Sequence, residues 1–181
     1  MTVAVGLVGF GLAGRVFHAP LIRASGMEIT GVVSSQREAV ASMLPTARVC
    51  DDLATLLSLP RLDLVVIATP NDLHESQGVA ALAAGKHVVV DKPVALSVTA
   101  VERMMHVARD AGRVLVPFHN RRWDSDFLTV QRLIAAGPLG AVHAYEAYWD
   151  RYRPQVPDRW REHEQHGGGL LFDLGDRKSV V

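Results

Sequence analysis

Cysteine is almost missing. The chain of 181 residues holds one, Cys50, so no disulfide can form within it; this fits a reducing compartment and makes Cys50 a small core residue. Aromatic residues are sparse at 6%, and neither sign of charge is in excess, with 19 Lys and Arg against 19 Asp and Glu. That balance argues against a basic nucleic-acid binder and against an acidic disordered tail. No apolar run is long enough to span a bilayer. The apolar start lacks the charged leader of a signal peptide, and its glycines have a better structural use. A cytoplasmic location is therefore expected, with no nucleic-acid partner, no membrane partner and no metal. Internal repeats and low-complexity segments are also missing.

What the chain does have is apolar content, 49% of its residues, enough to bury a full core as one domain, or one domain plus part of another. It begins with VAVGLVGFGLAG, residues 3–14. Val3, Val5, Leu7 and Val8 suit a strand buried on both faces. Gly9, Gly11 and Gly14 follow as G-x-G-x-x-G. In that pattern the first glycine permits a tight turn, the second lets the backbone approach a pyrophosphate, and the third lets the next helix pack close to the strand. The helix N-terminus adds partial positive charge. Gly9, Phe10, Gly11, Leu12 and Gly14 are thus the candidate phosphate cradle; the bland reading is a strand–turn–helix with no ligand.

Helices and strands alternate from there. Helices are expected at 12–25, 37–44, from Asp51 or Asp52 through 57, at 73–84 and at 97–111, with Gly85 and Gly112 at helix ends and Ser97 as an N-cap. Strands are expected at 28–34, 47–50, 62–68, 86–90 and 113–118. Such alternation predicts a doubly wound parallel sheet, an α/β Rossmann architecture, over residues 1–120. The character then changes: a helix at 123–136, a strand-like AVHAYEAYW at 141–149 and a charged, proline-containing loop at 150–165. A lone strand makes no sheet, so its partners are expected to be missing or in another chain.

An acidic residue about twenty positions beyond the glycines would bind the ribose hydroxyls of NAD. Here that region is Ser34-Ser35-Gln36-Arg37. It holds no carboxylate, and Arg37 is available for a 2′-phosphate, which favours NADP over NAD. Read alone, Arg37 is equally an ordinary solvated arginine of a first helical turn.

The glycine turn, Ala68-Thr69-Pro70-Asn71, Asp91-Lys92-Pro93 and GGGLLFDLG occur in this order, and the chain thereby resembles the Gfo/Idh/MocA oxidoreductases over residues 2–175. Phe17-His18-Ala19-Pro20 and Asn120-Arg121-Arg122-Trp123 resemble one broad bacterial subgroup of them. The resemblance implies a Rossmann domain followed by an α/β domain with a large, mostly antiparallel sheet, of which residues 121–175 would be the incomplete start. It implies hydride transfer between NAD(P) and a sugar or polyol hydroxyl or ketone, in a full-length parent that forms homo-oligomers. Thr69, Pro70 and Asn71 would lie along the cofactor, with Asn71 and His74 near its ribose or nicotinamide. Asp91 and Lys92 would close the site, Asp91 standing where the family usually has Glu. Lys92 would face the substrate carbon as acid, base or electrostatic stabiliser; alone, it reads as a solvated lysine at a strand end. Arg121, Arg122, Trp123, Trp160 and Arg161 would approach the active-site mouth or pack between the domains.

The family's later motif reads approximately GGGxLxDxGxHxxD, and the chain matches it through Asp173, a second catalytic candidate, and Gly175. Arg177 stands where the motif has histidine, and a protonated guanidinium makes no base near neutral pH. The final DRKSVV equals the translation of GAT CGG AAG AGC GTC GTG, a string resembling a sequencing-adapter read. Residues 176–181 are accordingly expected to be a non-native tail, and the 181-residue chain to show little or no turnover. The competing reading is a nucleotide-binding or redox-sensing module without catalysis. A methyltransferase-like Rossmann protein is disfavoured by Asp91-Lys92-Pro93 together with GGGLLFDLG.

Overall fold

The computed structural model describes residues 2–148, 150, 152, 154–155 and 167–169. Among the described residues six strands are formed: β1 (Ala4–Val8), β2 (Glu28–Val33), β3 (Arg48–Cys50), β4 (Leu64–Ile67), β5 (His87–Asp91) and β6 (Leu115–Phe118). Between and after them lie α1 (Ala19–Ala24), α2 (Arg37–Met43), α3 (Leu53–Leu57), α4 (His74–Ala83), α5 (Val98–Asp110) and α6 (Ser125–Ala136). The strands form one sheet in the order β3-β2-β1-β4-β5-β6, and every pairing is parallel. The order reverses between β1 and β4, and the crevice at the carboxyl ends of those two strands is where doubly wound sheets bind ligands.

Alternation along the strands explains the two-sided core. Val5, Leu7 and Val66 pack on one face with Ile22 of α1 and Val40 of α2. Val8, Val65 and Ile67 pack on the other with Leu56 of α3, Leu82 of α4 and Met104 of α5. All five β1 residues are buried, as an apolar run at the sheet centre requires. In α5 the buried Ala100, Met104 and Ala108 recur every fourth residue, forming one stripe against the sheet.

The expected ends are met by identifiable chemistry. Ser97 Oγ accepts from the Ala100 amide at 3.2 Å and caps α5. Of the two aspartates considered for α3, Asp52 is the cap, its Oδ1 accepting from the Thr55 amide at 2.7 Å. Gly85, beyond α4, takes φ +73°, a conformation that costs other residues strain.

Several expectations are corrected. The helix expected at 12–25 contains a π-helical turn, Gly14–His18, before α1. Short 3₁₀ turns, Asn71–Leu73 and Asn120–Trp123, precede α4 and α6. The last helix starts at Ser125 rather than 123 because Asp124 is extended, at φ −66° and ψ 142°. Residues 141–148, strand-like in sequence but expected to lack their partners, make no sheet pairing among the described residues. No antiparallel sheet is present among the described residues.

Met104 is fully buried at the contact of α5 with α4, where a Cβ added to Gly78 would lie 2.3 Å from its methyl carbon. Met104→Ala should cost about 2–5 kcal/mol in urea unfolding. The neighbouring Met105→Ala, at a side chain 51% exposed, should change stability by less than about 0.5 kcal/mol.

Candidate functional site

A cleft of about 360 Å³ opens at the carboxyl edge of the sheet. Its walls are the turn after β1 (Gly9 to Leu12), the segment after β2 (Ser34 to Gln36), the turn after β4 (Ala68 to Asn71), Asp91 and Lys92 ending β5, and Gly167 with Gly168 from the far end of the sequence. Of the candidate residues, Gly9, Phe10, Gly11, Leu12, Ser34, Thr69, Pro70, Asn71, His74, Asp91 and Lys92 line it.

The glycine turn is built by close backbone approach. The Gly9 amide donates to the Val33 carbonyl at 2.9 Å, and Gly9 takes φ +97°. A Cβ there would lie 2.5 Å from the Ala68 carbonyl oxygen, and one on Gly14 would lie 2.3 Å from the Gly9 carbonyl oxygen. Gly11 differs. A Cβ on Gly11 would meet, among the described residues and apart from its chain neighbours, no atom within 4 Å. Gly9 and Gly14 are thus required by the fold, whereas Gly11 leaves open room on the cleft wall. That is the surface an approaching pyrophosphate needs.

Beyond β2 the lining is neutral and polar: the Gln36 amide donates to Ser34 Oγ at 3.0 Å, closing a small turn. Arg37 does not line the cleft; its guanidinium is paired with the Asp51 carboxylate.

On the other side, three side chains tie the loops together. Thr69 Oγ1 donates to Gln77 Oε1 at 2.7 Å. His74 is fully buried, its Nδ1 2.7 Å from the Pro93 carbonyl oxygen and its Nε2 3.0 Å from that of Thr69. Carbonyls only accept, so a proton on either ring nitrogen ties down one of the two catalytic-edge turns. Asn71 Nδ2 donates to the Gly167 carbonyl at 2.8 Å, fixing the GGG segment to the turn after β4. Asn71 and His74, expected as cofactor neighbours, thus use their polar atoms on the protein backbone while still bordering the cleft.

Asp91 adjoins the candidate lysine. The Lys92 amide donates to Asp91 Oδ1 at 2.8 Å, and His18 Nε2 lies 3.7 Å from Asp91 Oδ2. The second separation is that of an ion pair rather than a hydrogen bond. His18 is buried, its ring against Phe118 with centroids 4.4 Å apart. Burial pushes the Asp91 carboxyl upward. The His18 ring, the Lys92 amide and the Lys92 charge outweigh it and hold Asp91 below the usual carboxylate range.

Two contributors went unassigned at the sequence level. Gln77 sits three residues after His74, a spacing that shares a helix face and was available as a signal. His18 was singled out only within Phe17-His18-Ala19-Pro20, with no role attached, because only folding carries the turn before α1 to the end of β5. Asn120 lines the cleft, but Arg121, Arg122 and Trp123 do not; Arg121 pairs with Asp124 at 2.6 Å and Trp123 is 78% exposed. Asp173, Trp160, Arg161, Arg177 and the final six residues lie outside the described residues.

Residues 3–119 match the family model for an oxidoreductase family with an NAD-binding Rossmann fold, and residues 127–175 match that of a GFO/IDH/MocA C-terminal domain. Among curated relatives, the uncharacterized oxidoreductase YdgJ of Escherichia coli is 48% identical over 95% of this chain and 50% of its own length. The scyllo-inositol 2-dehydrogenase (NADP(+)) IolW of Bacillus subtilis is 40% identical over 96% of this chain and 49% of its own. The solved structure of YPO2259 from Yersinia pestis superposes with a TM-score of 0.89 at 48% identity, covering 97% of this chain and 50% of that one. The chain therefore spans about half the length of the curated relatives it matches.

Asp91 supplies the pH prediction. Its depressed carboxyl stabilises the fold fully above the unfolded value of about 3.9, and that contribution is lost as pH falls through the lower native value. His18→Gln should raise the Asp91 carboxyl titration, read by carbon NMR, and shift acid unfolding to higher pH. An unchanged Asp91 titration would show that His18 does not act on it.

Proposed function

The chain belongs to the Gfo/Idh/MocA oxidoreductase family, and from that premise we propose that the cleft binds NADP or NAD, with NADP preferred. The full-length protein then transfers a hydride between nicotinamide and a sugar or polyol hydroxyl or the matching ketone. The observation that carries the reading is Gly11, whose missing side chain serves no contact within the protein and widens the cleft between two glycines the fold itself demands.

In this reading Gly9 to Leu12 hold the pyrophosphate, and Ser34 receives the adenosine ribose beside Arg37. A neutral lining after β2, and the NADP(+) in the name of the IolW relative, support NADP. Thr69, Pro70 and Asn71 border the nicotinamide side, their loop kept in place by His74 and Gln77. A bound nicotinamide supplies the hydride acceptor. Oxidation of a carbinol also releases the hydroxyl proton: as a neutral amine Lys92 would accept it, and as an ammonium it would instead stabilise the developing alkoxide while solvent takes the proton. Asp91, anionic beside it, adds a negative charge to that end of the cleft. A sugar or polyol substrate agrees with the inositol dehydrogenase relative.

Residues 1–120 form the dinucleotide domain in this account. Residues 121–175 begin a second domain whose mostly antiparallel sheet carries the substrate loops and the homo-oligomer contacts, and Asp173 would face the nicotinamide from it. A nucleotide-binding module without turnover is the second reading, which this chain allows because it lacks the motif's histidine at position 177.

Gly11→Ala should weaken NADP+ binding to this chain at least tenfold by titration calorimetry while leaving the thermal midpoint unchanged. Gly14→Ala, which drives a Cβ into the Gly9 carbonyl, should lower the midpoint by several degrees. Equal NADP+ affinity in Gly11→Ala and the parent chain would refute the cradle.

A further inference from the structure

Arg37 is the cation assigned to a 2′-phosphate, yet it is already engaged. It opens α2 and its guanidinium is paired with Asp51. Asp51 directly follows β3, and β3 pairs with β2 so that Val33 and Cys50 are partners. Ser34, which lines the cleft, and Asp51 are the residues that directly follow these two paired strand ends.

The chemistry of such a pair is competitive. A phosphate monoester and a carboxylate seek the same guanidinium donors, so Arg37 cannot offer its full fork to both. Asp51 also places a negative charge beside the position of an arriving dianion. The neighbouring carboxylate, Asp52, is occupied as the cap of α3, which leaves Asp51 as the partner that matters for Arg37. The pair is open to solvent, with side chains 58% and 78% exposed. It is therefore weak enough for a ligand to displace.

Resting on the dinucleotide reading above, we propose that Asp51 is a specificity-determining residue: by pairing with Arg37 it restrains the grip on a 2′-phosphate and keeps NAD usable alongside NADP. The neutral Ser34 and Gln36 then serve either ribose, and the discrimination lies in the exchange of Arg37 between Asp51 and phosphate.

The test uses the 181-residue chain and two probes that differ only by the 2′-phosphate, adenosine 2′,5′-bisphosphate and adenosine 5′-monophosphate. Dissociation constants are measured by calorimetry at low salt for the parent chain, Asp51→Asn and Arg37→Ala, with thermal midpoints as folding controls. Asp51→Asn should bind the bisphosphate about three- to fivefold more tightly, the scale of one exposed charge pair, with monophosphate binding within about twofold. Arg37→Ala should erase the bisphosphate advantage, and Asp51→Asn added to it should restore none. If Arg37→Ala weakens the bisphosphate but Asp51→Asn leaves it unchanged or weaker, the restraint is overturned and the NADP reading stands. If the parent chain binds neither probe nor NAD+, the dinucleotide reading fails, and the restraint with it.

Discussion

At Gly9 three backbones meet at van der Waals distance. The amide is held by the Val33 carbonyl at the end of β2, the Cα faces the Ala68 carbonyl beyond β4, and the Gly9 carbonyl faces Gly14 in the returning helical turn. A single methyl group at Gly9 or Gly14 would collide with one of these oxygens. This crowding brings the carboxyl ends of the central strands together with the start of the first helix, and the cleft is the space left over. The two-sided apolar core supplies the rigidity that such close approach needs, since a packed interior does not deform continuously.

Around that turn the polar side chains chiefly organise backbone. His74 and Asn71 border the cleft, but both His74 ring nitrogens and Asn71 Nδ2 face the carbonyls of Pro93, Thr69 and Gly167. Asn71 thereby joins the turn after β4 to a glycine 96 residues later. The Gly167 backbone is held close as well: a Cβ on it would lie 2.2 Å from a Leu96 methyl. The start of the second motif is therefore registered on the cleft edge of the sheet by a buried hydrogen bond and a tight apolar contact. At the end of β5 His18 lies beside Asp91 and, with the Lys92 amide and charge, holds the Asp91 carboxyl below the usual carboxylate range.

Much of this was legible in the sequence because it rests on short-range rules. Alternating apolar runs and helical periods fixed six parallel strands and their helices to within a few residues. The glycine spacing, with Thr69-Pro70-Asn71 and Asp91-Lys92-Pro93 at strand ends, located the cleft wall. What stayed hidden depends on long-range partners. Nothing local shows that His74 would reach Pro93, that His18 would face Asp91, or that Arg37 would find Asp51. The strand-like segment at 141–149 was expected to lack its partners, and residues 141–148 make no sheet pairing among the described residues: alternation favours an extended chain, but sheet formation needs a neighbour. The start of the last helix slipped because Asp124 is extended, a backbone choice that helical periodicity does not encode.

The central claim is that the glycine turn and the ends of β4 and β5 form one dinucleotide site. Amide chemical-shift mapping on isotope-labelled chain tests it most directly. Adding NADP+ should move the resonances of Gly9 to Leu12, Ser34, Thr69, Asn71 and Lys92 together, with one saturation curve, and leave those of α5 in place. Shifts confined to one of these segments, or none at millimolar NADP+ and NAD+, would contradict it.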